Sequence, residues 1–147
     1  MLSKNIFDRP VSLIALLIAV FLLNTVSSTY FIQITLAGVV FLGFLKTLDN
    51  KYYNSFILIV CMFIVIESNQ GLNLFTLTIF SYVSYLTIIP YLDKVFTIAS
   101  VRDFVQLFWF YIGLGIAYST LIEFDWAIVG IIMLNLILDI ILVGLFL

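Results

Sequence analysis

The chain of 147 residues contains no histidine, one cysteine, two prolines and only 10% charged residues. Without histidine it lacks the commonest metal ligand and the side chain best placed for proton transfer near neutral pH. A single cysteine, Cys61, excludes an intramolecular disulfide. Because Cys61 lies in an apolar run, it is expected to be a small buried hydrophobe rather than a reactive thiol. The chain carries no glycine-rich loop ending in Lys-Ser/Thr for phosphate, no zinc-ligand spacing and no Ser/His pairing. Six basic residues, against eight acidic ones, form no patch suited to nucleic acid. Catalytic residues, metal ligands and cofactors are therefore not expected.

What is present is apolar. Hydrophobic residues make up 65% of the chain and aromatics 17%, and the mean hydropathy is +1.29. Soluble domains hold roughly 45–50% apolar and about 25% charged residues, so the composition predicts an integral membrane protein. Runs of about 20 apolar residues are long enough to span. They fall at 10–27, 29–47, 52–67, 72–92, 101–122 and 125–147, and predict a single all-α domain over 1–147, a polytopic bundle of six transmembrane helices. The third run is short. Lys4 and Arg9 precede the first run as they would in a signal peptide, but the chain passes directly into further apolar sequence, so the run is read as a retained helix. Asp8 and Pro10 suit its start, and Pro90 is expected to kink or stop the fourth helix.

The basic residues order these spans. Lys4 and Arg9 precede the first, Lys46 and Lys51 flank the second connection, and Lys94 and Arg102 flank the fourth. With six spans all of them share one side, which the positive-inside rule makes cytoplasmic, together with both termini. Glu67, Glu123 and Asp125 then fall on the outer face.

Within the spans, Asp139 stands in the middle of NLILDIILVG, with Asn135 one turn earlier on the same face. A charge at mid-bilayer costs ~2.5–3.5 kcal/mol and normally faces the bundle interior. Arg102 and Gln106 share a face near the inner end of the fifth span, so the four are expected to form a buried polar clamp or a partner contact. The fourth span carries two polar stripes, Asn73, Thr76, Ser84 and Thr87 on one and Thr78, Ser81, Tyr82 and Tyr85 on the other, which suits a central helix. Ala15 with Ala19, and Gly113 with Ala117, have the small-xxx-small spacing of close helix packing.

The stretch GLNLFTLTIFSYV, from Gly71, resembles the central signature of the rod-shape-determining MreD family. There a polar loop and a glycine lead into an apolar helix that carries a tyrosine. Gly71, Asn73, Phe75 and Tyr82 are the signature-like positions; Phe63 stands where the family often has Asp, and Glu67 is the nearest acid. The resemblance implies a non-enzymatic subunit of the bacterial inner membrane, acting in cell-shape maintenance and peptidoglycan elongation. Its implied partners are an MreC-like protein and, through it, the MreB filament and cell-wall synthases. That family is similar in fold to the S components of energy-coupling-factor vitamin transporters, which implies a compact S-component-like bundle. It also supplies the alternative function, a small-molecule binder. In that case Ala15 and Ala19 would meet a coupling subunit, and Asn69, Gln70, Asn73, Glu123 and Trp126 would close an outer pocket.

Overall fold

The computed structural model describes residues 10–29, 34–121 and 125–146. Lys4, Asp8, Arg9 and Glu123, and the expectations placed on them, lie outside those residues. The described residues form seven helices: α1 (Pro10–Thr29), α2 (Ala37–Asp49), α3 (Tyr53–Gln70), α4 (Thr76–Thr87), α5 (Ile89–Val95), α6 (Ala99–Leu121) and α7 (Trp126–Phe146).

Three of them, α1, α3 and α7, are long and apolar enough to cross a membrane. The third apolar run, expected to be short, becomes the 18-residue α3 because Ser68, Asn69 and Gln70, which fall between the third and fourth runs, continue the helix. Gly71 ends α3 with φ 70°, and its N–H donates to the Glu67 carbonyl. Glycine adopts this left-handed conformation without the Cβ penalty other residues meet.

The second and fourth runs do not form helices of spanning length. α2 has 13 residues and α4 has 12. At 1.5 Å per residue each is about 20 Å long or less, against a hydrocarbon core of about 30 Å. Both start immediately after a non-glycine residue in the left-handed region, Leu36 (φ 49°) before α2 and Phe75 (φ 67°) before α4. Pro90 acts as expected: α4 stops at Thr87 and α5 resumes after Ile88 with Pro90 in its first turn.

α2 is the centre of the bundle. It packs against α3, α4, α6 and α7, and every residue from Ala37 to Leu45 is buried. A helix apolar on all sides suits such a position. Phe41 stacks on Phe110 of α6 at 4.7 Å, and Phe44 meets Phe56 and Phe63 of α3. At one end lie the α2–α3 and α5–α6 turns, and there the Tyr85 hydroxyl, near the end of α4, donates to Asp49 at the end of α2. That basic end carries Lys46, Lys51, Lys94 and Arg102, all the described cations. The starts of α2, α4 and α7 point to the opposite end, where Asp125 Oδ1 accepts the Ala127 N–H and opens α7.

Of the small-residue pairs, Gly113 is buried so closely against the Phe80 ring that a Cβ there would overlap it. Ala117 is half-buried, whereas Ala15 and Ala19 are exposed. Cys61 is likewise exposed, correcting the expectation of burial. It lines an apolar groove with Leu17, Ile18 and Phe21 of α1.

Candidate functional site

The interior polar residues gather where α2 and α4 begin. The first four N–H groups of a helix have no partner within it. In hydrocarbon each unsatisfied group costs several kcal/mol, so a helix that starts inside a bundle needs acceptors from elsewhere.

For α2 they come from α7. Asp139 Oδ2 accepts the Gly38 N–H at 2.8 Å and the Tyr111 O–H at 2.5 Å. The Val39 N–H also faces this carboxylate. One turn earlier, Asn135 Oδ1 accepts the Thr35 N–H at 2.8 Å and lies 3.3 Å from the Thr35 hydroxyl, while its amide nitrogen donates to the Ile131 carbonyl. The i, i+4 pair on one face of α7 therefore holds the segment before α2 and the first turn of α2 together. Gly38 makes the approach possible: a Cβ there would overlap the Asp139 carboxylate and come within 2.6 Å of Leu107. α1 completes the lining. Asn24 donates to the Thr35 carbonyl at 3.4 Å, and Ser27 Oγ accepts the Ile34 N–H at 2.9 Å.

For α4 the acceptor is Glu67 of α3. Its Oε2 accepts the Phe75 N–H at 2.7 Å and its Oε1 the Leu77 N–H at 2.6 Å; the Thr78 N–H faces it as well. Glu67 and Asp139 are both 0% exposed. The positive end of each helix dipole offsets part of the cost of burying a carboxylate beside it. Glu67 lies toward the end opposite the cations, as its place in the sequence predicts, but it is buried there, because Gly71 turns the chain back over it.

The four-residue clamp separates into two groups. Asn135 and Asp139 stand at the start of α2, while Arg102 and Gln106 remain at the basic end. Arg102 Nε lies 3.6 Å from Asp93 Oδ1 and 3.8 Å from Asp103 Oδ1. Gln106 Nε2 donates to Asp93 at 3.2 Å. Arg102 occupies the first turn of α6; Tyr111, about 13 Å farther along that helix, is level with Asp139 and takes the place expected of Arg102.

The signature-like residues form the joint between α3 and α4. Gly71 closes α3, the Asn73 carbonyl accepts the Thr76 N–H, and Phe75 delivers its N–H to Glu67. Tyr82 projects outward, 49% exposed. The two polar stripes of α4 resolve into one buried face, Leu77, Ser81 and Ser84, where Ser84 accepts the Trp109 N–H at 3.1 Å. Thr87 instead turns back to its own helix and donates to the Val83 carbonyl.

Of the residues expected to close an outer pocket, Gln70 lines a cavity of about 180 Å³ with Thr35, Tyr118 and Asn135. Asn69 donates to Asn24 at 2.7 Å, and Trp126 is exposed at the start of α7. Tyr111, Tyr118 and Thr35 were not expected at the site. Comparison of the chain with models of known protein families, with curated proteins and with solved structures finds no match.

Proposed function

We propose that this chain is a non-enzymatic assembly subunit of a bacterial inner membrane, similar to MreD, which acts in peptidoglycan elongation through helix–helix contacts with an MreC-like protein and cell-wall synthases. It would pass the membrane six times: α1, α3, α6 and α7 cross as single helices, α4 and α5 together as a broken one, and α2 with the segment before it as another. Both termini and the basic end would face the cytoplasm.

The observation that carries this reading is the build of residues 67–82. Gly71, Asn73 and Phe75 make a rigid joint around Glu67, and the joint places Phe75 and Tyr82 on the exterior, 46% and 49% exposed. Aromatic side chains on a fixed frame suit recognition of another membrane helix, since they bring large contact area with little ordering entropy. The buried acids fit the same reading, because Glu67 and Asp139 are engaged by backbone N–H groups and serve the frame.

Capture of the tagged protein from its native membrane in mild detergent, followed by proteomics, tests it. An MreC-like protein and cell-wall synthases are expected in the eluate. The double variant Phe75→Ala/Tyr82→Ala should recover several-fold less of them at equal expression. Recovery of an ATPase with a coupling subunit would refute the reading.

A further inference from the structure

Two adjoining hollows lie along α6 and α7, toward the end of the bundle opposite the cations. The inner one is the cavity of about 180 Å³. Its polar lining is uncharged: Thr35, Gln70, Tyr118 and Asn135. Gln70 Oε1 is enclosed there and accepts no hydrogen bond. Tyr118 is 9% exposed, and among the described residues no group engages its hydroxyl. A buried acceptor left without a partner is costly, and a bound molecule that hydrogen-bonds to it removes that cost; the neighbouring Tyr118 hydroxyl is accessible to the same molecule. The volume exceeds the ~150 Å³ of an apolar cavity known to admit benzene.

The outer hollow is a groove of about 360 Å³ whose walls include Ile112, Gly115, Ile116, Val129 and Met133. Ile112, Ile116 and Met133 are each more than half exposed, as befits a surface in contact with acyl chains. A Cβ added at Gly115 would meet nothing within 4 Å. Tyr118, Ile128 and Ile132 line both hollows, so the apolar groove abuts the polar cavity across these three side chains.

We infer that the groove and cavity form one binding site for a single-chain amphiphile with an uncharged, hydrogen-bonding head. The chain lies in the groove over Gly115. The head passes Tyr118 and reaches Gln70 and Asn135. An anionic head does not fit, since every described cation lies at the other end of the bundle, and a cationic head does not fit the inner cavity, whose lining holds no acid; the one acid of the groove, Asp125, lies outside that cavity. A buried ion without a partner is disfavoured far more than a hydroxyl or an amide. A wholly polar solute leaves the groove unused.

Native mass spectrometry of the full chain in mild detergent, titrated with 1-monooleoylglycerol, oleate, oleylamine and glycerol, tests this site. One saturable adduct with monooleoylglycerol is expected, at least about tenfold tighter than with either charged probe, and none with glycerol. Tyr118→Phe should weaken it about 3- to 10-fold by removing one hydrogen bond. Gly115→Phe fills open space in the groove and should abolish the adduct while leaving the melting temperature unchanged. Ser119→Phe, on the exposed rim of the same groove, serves the same purpose if Gly115→Phe does not fold. Undiminished adducts in the groove-filling variants, tighter binding of a charged probe, binding of glycerol alone, or no adduct with any probe would each overturn the inference.

Discussion

At the scale of single residues, the chain's internal chemistry is acceptor placement. Asp139 serves Gly38 and Tyr111, so Asp139→Leu leaves a buried N–H and a buried O–H without an acceptor, at about 1–3 kcal/mol for each. Asp139→Asn keeps one oxygen in place. Thermal unfolding in detergent should therefore show a large loss for Leu and a smaller one for Asn, and equal losses would exclude the capping role. Gly38 and Gly115 make a second contrast. Gly38→Ala drives a methyl group into Asp139 and Leu107 and should cost about 1–3 kcal/mol, the usual penalty of overpacking, whereas Gly115→Ala meets open space and should be near neutral. The pairing of Asn135 with Asp139 was legible from their spacing on one helix. Their partners were not. Gly38 and Tyr111 belong to other helices and Thr35 to the segment before α2, and backbone N–H groups leave no mark on a sequence.

At the scale of elements, the long helices follow from hydropathy and the short ones do not. α1, α3 and α7 are mostly apolar along their length, with few polar residues inside them. α2 and α4 begin late because Leu36 and Phe75 take the left-handed conformation, which for a large non-glycine side chain is set by tertiary contacts. No glycine or proline announces either break. Pro90 does announce the break between α4 and α5. The capping role of Glu67 was hidden for a related reason: only the turn at Gly71 brings the start of α4 onto it. The two short helices α2 and α4 thus share one device, in which a left-handed residue is followed by a first turn whose N–H groups meet a buried carboxylate from a neighbouring helix.

For the whole molecule, the expectation concerns orientation. All described cations gather at the end formed by the α2–α3 and α5–α6 turns, so that end should face the cytoplasm. In a Cys61→Ser background, Asn50→Cys should react with a membrane-impermeant thiol reagent only from the cytoplasmic side, and Asn73→Cys only from the outside. Both sites are exposed, at opposite ends of the bundle. Labelling of both from one side would contradict the six-span arrangement. Composition pointed to helices long and apolar enough to cross a membrane, as α1, α3 and α7 are, and the basic residues to the sidedness that this labelling tests. The central position of α2 was hidden, because a fully buried helix and a lipid-facing one are equally apolar.

Amide hydrogen exchange on the wild type, Asp139→Leu and Glu67→Leu tests most directly whether the buried carboxylates hold the two interior helix starts. Exchange should accelerate at residues 38–39 in the first variant and at 75–78 in the second, with the rest of the bundle unchanged. Unaltered protection at both starts would contradict the capping role of Asp139 and Glu67.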